Sequence, residues 1–104
     1  MVELIWTEAA LRDLEAIAEY IALDKREAAQ SFVRRVFEVV DRLKLFPESG
    51  RVPPELPEFS YREVICTPCR IVYKMTDQQV VILFVMRSEQ DLRKLMLKSA
   101  LGHS

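Results

Sequence analysis

The chain has 104 residues, half of them apolar and 30% charged, a globular composition at a length suited to one domain. Fifteen Lys and Arg against sixteen Asp and Glu leave a formal net charge of −1, so no broad phosphate-binding field is expected. The longest apolar run, Val80–Met86, falls far short of the roughly twenty residues that cross a bilayer. No basic stretch precedes an apolar one at the start, which makes the cytoplasm the expected location.

Val2–Trp6 is rich in strand formers and reads as a first strand. Thr7 then offers a hydroxyl cap, and from there to about Leu23 the residues Leu11, Leu14, Ile17, Ala18 and Ile21 recur at three- and four-residue steps. That spacing predicts an amphipathic helix. Asp24, with Glu27 three residues on, predicts the cap of a second helix. Its apolar stripe is Phe32, Val33, Val36, Val39, Val40, Leu43 and Phe46, and Pro47 and Gly50 close it. The short link between the helices predicts an antiparallel hairpin.

Residues 47–58 hold most of the prolines and read as a rigid surface loop. Three strands follow, at Ser60–Cys66, Cys69–Met75 and Gln79–Met86, joined by turns at Thr67-Pro68 and Thr76–Gln78. Val80–Val85 is apolar at both parities and is expected at the centre of the sheet, covered on both faces. Glu89 to about Leu101 reads as a short helix, or as a tail that orders on a partner. The order β-α-α-β-β-β gives an α+β fold: an antiparallel helical hairpin packed on a mainly antiparallel four-stranded sheet, in a single domain over residues 1–104.

Cys66 and Cys69 form Cys-Thr-Pro-Cys between two β-branched runs, not at a helix N-terminus where a thiolate would be stabilised. They read as half-buried thiols at a strand junction. His103 is the only histidine, too few ligands for a zinc site. No metal or cofactor is expected.

Several stretches carry a family pattern. Trp6-Thr7, Ala10, Asp13-Leu14, Ile17 and Tyr20-Ile21 open the first helix, and Leu43, Phe46-Pro47 and Gly50-Arg51 end the second. Arg62-Glu63-Val64, Arg70-Ile71-Val72-Tyr73 and Val80–Arg87 lie on the strands. Together these resemble the RelE/ParE superfamily of toxins from type II toxin–antitoxin (plasmid stabilisation) systems, over about residues 2–90. The resemblance implies a small toxin neutralised by direct binding of a cognate ParD-like antitoxin, which crosses the helical hairpin and the sheet edge. It also implies one of two activities: ribosome-dependent mRNA cleavage in RelE-like members, or inhibition of DNA gyrase in ParE-like members.

Cleavage by 2′-hydroxyl attack needs a base, an acid and cations for the developing charge. Arg70 and Arg87 match the family's arginine positions and would be the phosphate ligands, with Glu48, Glu55 or Glu63 as candidate bases. Met86 stands where many relatives have histidine, and a thioether transfers no proton. These gaps and the near-neutral charge favour the ParE-like reading, a gyrase inhibitor that is not an enzyme. Target contacts are then expected among Arg62, Arg70, Arg87, Arg93, Lys94 and Lys98. The alternatives are a RelE-like endoribonuclease and an inactive member that only binds an antitoxin. Arg51 reads as structural, tying the proline loop to a carboxylate such as Glu63. Trp6 and Tyr20 read as core or hairpin packing.

Overall fold

The computed structural model describes the backbone of residues 2–101 and the surroundings of side chains 2–98. Strand β1 (Glu3–Trp6) leads into helix α1 (Glu8–Ala22). Thr7 caps α1 as its position predicts, its Oγ1 accepting from Ala10 N–H at 3.1 Å. The same hydroxyl donates to Ile82 carbonyl oxygen at 2.7 Å, so one side chain both starts the helix and fixes it to the sheet.

Helix α2 (Arg26–Asp41) departs from expectation at both ends. Lys25, not Asp24, takes the extended N-cap conformation, and no side chain caps α2. The reason lies in the preceding helix, because the N–H groups of Asp24 and Lys25 still donate to Ile21 carbonyl oxygen. Asp24 therefore finishes α1 instead of starting α2. At the other end the chain tightens into a 3-10 turn over Arg42–Lys44. Three residues per turn rotate the stripe, so Leu43 remains fully buried while Phe46, expected on the core face, is 61% exposed.

Strands β2 (Tyr61–Cys66), β3 (Cys69–Met75) and β4 (Gln79–Arg87) follow, then helix α3 (Leu92–Leu101). The sheet order is β1-β4-β3-β2, with β1 parallel to β4 and the other pairs antiparallel. This is the expected α+β arrangement with β4 at the centre. No helix among the described residues is long and apolar enough to cross a membrane.

The core has two parts, one on each face of the sheet. Ala10 and Leu14 of α1 and Phe32, Val36 and Val40 of α2 pack on Ile71, Tyr73, Val80, Ile82 and Val85. On the opposite face, Leu56 of the proline loop and Leu92 of α3 cover Val72 and Met86, with Tyr61, Phe84, Leu95 and Met96 around them. A bulge explains why β4 is apolar at both parities. Val72 pairs with Phe84 and Tyr73 with Ile82, skipping Leu83. Beyond that extra residue the helix-facing parity changes, from Val80 and Ile82 to Val85.

Trp6 packs against Phe37 with ring centroids 5.2 Å apart, as hairpin packing requires. Tyr20 does not join the core and is 67% exposed. It belongs with Leu11, Leu23, Phe37, Leu45, Phe46 and Ile65 to the apolar surface of the hairpin and sheet edge.

Candidate functional site

The arginines singled out by sequence fall into two environments. Arg70 enters the sheet at the second position of β3, and its side chain lies on the face away from the hairpin, 4% exposed. Glu63 of β2 sits on the same face and is fully buried. Its Oε1 accepts from Arg70 Nη1 at 2.9 Å and its Oε2 from Arg51 Nε at 2.7 Å. One carboxylate therefore bridges two guanidinium groups, and the expected structural role of Arg51 is realised on the residue named for it.

Glu55 closes the cluster from the proline loop. Its carboxylate accepts from both terminal nitrogens of Arg70 and from Leu92 N–H at 3.0 Å, at the start of α3. Arg70 Nη2 also donates to Gln90 carbonyl oxygen at 2.7 Å, while Arg70 Nε has no partner among the described residues. The Arg70 guanidinium holds the Glu55 carboxyl down at about 2, well below the ordinary carboxylate range. Reciprocally, the two carboxylates hold Arg70 protonated. A carboxylate so acidic is a poor proton acceptor at neutral pH.

The loop motif Phe-Pro-x-x-Gly-Arg converges on the same region. Tyr73 Oη donates to Pro47 carbonyl oxygen at 2.7 Å and accepts from Gly50 N–H at 3.0 Å. Arg62 Nη1 donates to Gly50 carbonyl oxygen at 2.8 Å. Arg51 and Glu63 exchange backbone hydrogen bonds at 2.9 and 2.8 Å, sealing the middle of the β2 edge. Beyond the Arg51–Glu63 tie, sequence pattern alone did not predict that Arg62, Arg70 and Tyr73 would also hold the proline loop on the sheet. The only signal was their common occurrence on adjacent strands.

The remaining cations lie outward. Arg87 ends β4 and pairs with Glu89 at 2.6 Å. Arg93 pairs with Glu58 and donates to Glu55 carbonyl oxygen at 2.7 Å, which bolts the first turn of α3 to the loop. Lys94 and Lys98 are exposed on α3. Of the candidate bases, Glu63 is enclosed and Glu55 is committed to Arg70 and α3, while Glu48 is exposed on the proline loop, away from the Arg70 ion pairs. Met86 is 2% exposed, part of the packing under α3.

The thiols of Cys66 and Cys69 are buried and face each other across the end of the β2–β3 pair. Burial pushes both upward, Cys69 to about 11, which leaves them protonated and unreactive at neutral pH. Among the described residues there is no group of three or more side chains that would hold a metal ion.

A family model described as the ParE toxin of type II toxin–antitoxin system, parDE, matches residues 4–92. Among named relatives, Y4kP of Sinorhizobium fredii, described by name as a toxin, is 39% identical over 87 residues, which are 82% of this chain and 86% of that protein. Toxin RelE2 of Caulobacter vibrioides is 34% identical over 84 residues, 80% of this chain and 91% of that protein. A solved structure of the chromosomal ParDE system from P. aeruginosa superposes with a TM-score of 0.71 at 28% identity, covering 86% of this chain and 98% of that one.

Proposed function

This chain belongs to the ParE toxin family of type II toxin–antitoxin systems, and we propose that it arrests growth by inhibiting DNA gyrase and is neutralised by direct binding of a cognate ParD-like antitoxin. The observation that carries this reading is the closure of the Arg70 cluster. A ribonuclease would need Arg70 on a phosphate and a carboxylate or imidazole free to move protons. Here Arg70 is held by Glu55 and Glu63, and Met86 occupies the strand position next to Arg87. The protein acts by binding, not by chemistry, through Arg87, Arg93, Lys94 and Lys98 on the outer surface, with the half-buried Arg62 beside them holding the proline loop. Arg70 supports that surface from beneath by holding the proline loop and α3.

One relative bears the name RelE2, and the RelE-like branch that the resemblance implies gives a second reading, ribosome-dependent mRNA cleavage. A gyrase supercoiling assay, with and without the protein encoded by the neighbouring gene, separates the two. Inhibition with trapped cleaved DNA, relieved by the neighbour, supports gyrase as target. Unaffected gyrase from a protein that still stops growth and cleaves mRNA on ribosomes overturns it in favour of RNA. No growth arrest on induction identifies an inactive member that only binds its antitoxin.

A further inference from the structure

Strand β2 is an edge of the sheet, and the proline loop closes only part of it. Arg51 and Glu63 exchange backbone hydrogen bonds in an antiparallel bridge, so the Glu63 main chain points outward, away from β3. By the alternation of an antiparallel ladder, Ile65 also turns its N–H and carbonyl outward. The bridge register would put Ser49 opposite Ile65, but Ser49 N–H donates to Phe46 carbonyl oxygen at 3.1 Å and the loop turns away. At the far end, Arg35 Nη1 donates to Thr67 carbonyl oxygen at 3.2 Å. Between Arg51 and Arg35 the edge is open over about 10 Å, the span of about three extended residues.

A groove of about 560 Å³ runs along this stretch. Its apolar lining comes from Val39 of α2, from Phe46 just past the 3-10 turn, and from Val64 and Ile65 of β2. Phe46 is available to it because that turn rotates the ring out of the core. Val64 packs toward the hairpin, so the Ile65 side chain, next along the strand, stands on the opposite face and is 47% exposed. The exposed charges lining the groove are both basic, Arg42 and Arg51. Its one carboxylate, Glu63, is buried with an arginine on each oxygen.

We propose that the open stretch of β2 is a second part of the target-binding surface, taking a short extended segment of the target protein with carboxylates on either side of an apolar residue. The inference rests on the gyrase reading above. One residue of the segment pairs its main chain with the N–H and carbonyl of Ile65. The apolar side chain enters the groove against Val39 and Phe46, and the carboxylates meet Arg42 and Arg51 through charge-assisted hydrogen bonds. A nucleic acid matches the site less well. Phosphate oxygens only accept, so the Ile65 carbonyl would stay unpaired and the apolar lining uncovered.

The test is the concentration of purified chain that half-inhibits gyrase supercoiling, with affinity for the antitoxin encoded beside it measured in parallel by calorimetry. Ser49 is exposed in this groove, whereas Gln30 is exposed in a separate groove beside Ala22 and Val33. Ser49→Trp and Arg42→Glu are each expected to raise the half-inhibiting concentration at least tenfold, and Gln30→Trp less than threefold. Ile65→Pro, which removes an outward N–H and no ladder bond to β3, is expected to match Ser49→Trp, while Ile65→Val stays within threefold of wild type. Antitoxin affinity is expected to stay within threefold for all of them, which a misfolded variant would not show. Undiminished inhibition by Ser49→Trp and Ile65→Pro overturns the groove assignment and leaves the gyrase reading intact. Parallel loss of inhibition and antitoxin binding also overturns it, giving the groove to the antitoxin or to the fold. Binding of linear DNA by the chain, abolished by Arg42→Glu, overturns it in favour of a nucleic acid. No inhibition by the wild type overturns both readings.

Discussion

Gly50 and Tyr73 meet so closely that each limits the other. The Gly50 N–H donates to Tyr73 Oη at 3.0 Å, and a methyl group built on Gly50 would lie 2.5 Å from that oxygen and 2.7 Å from Glu63 carbonyl oxygen. Glycine is required here for space, since its backbone torsion is not in the left-handed region. Gly50→Ala is expected to cost about 1–3 kcal/mol by overpacking. Tyr73→Phe is expected to cost about 1–2 kcal/mol by unpairing Pro47 and Gly50. In the Tyr73→Phe background Gly50→Ala costs less, because the closest clash is gone. Denaturant melts of the four proteins measure this directly, and additive costs would refute the coupling.

Glu63, itself buried, joins the buried Arg70 to the solvent-exposed Arg51. Its replacement by Gln is expected to destabilise by about 1–3 kcal/mol, less than the cost of a wholly unpaired buried charge, because Arg70 keeps its ion pair with Glu55. Replacing Glu63 and Arg70 together by Leu and Met restores a large part of that loss. A double mutant no more stable than Glu63→Gln alone would show that the pair is not the source of the cost.

Glu55 couples the loop, the sheet and α3 through ionised hydrogen bonds. Its folded carboxyl is lowered from 4.5 to about 2, so its contribution is fully present above about pH 4.5 and is lost as pH falls toward 2. Acid should release α3 before the hairpin and sheet unfold. Hydrogen exchange of the α3 amides at pH 3 is expected to exceed that at pH 6 after correction for intrinsic rates. Glu55→Gln abolishes this extra acid sensitivity.

Cys66 and Cys69 should resist alkylation in the folded protein at neutral pH, since both thiols are buried and pushed upward. Maleimide labelling is expected only after unfolding in denaturant. Fast labelling of the native chain would show that the sheet end opens.

Charge reversal at Arg87, Lys94 and Lys98 tests the proposed target surface. Each is exposed, so the unfolding free energy of each single variant is expected to stay within about 0.5 kcal/mol of wild type. Growth arrest is expected to weaken as reversals are combined. Full toxicity of the triple variant would remove this face from target binding.

Periodicity by itself determined the element order, the hairpin and the central place of Val80–Val85, because burial of one helix stripe and one strand face is written every three to four or every two residues. The family resemblance came from the same stretches. It placed Arg70 and Arg87 among the candidates, but a type and a position do not say what a guanidinium touches. Tertiary structure decided that Arg70 turns toward Glu55 and Glu63, while Arg87 meets an exposed Glu89. It also decided that Asp24 closes one helix instead of opening the next, and that Phe46 leaves the core. The proline loop had no period to read. Its role appears only when residues far apart in sequence come together, since ion pairs and close backbone approaches depend on geometry that composition and spacing do not encode.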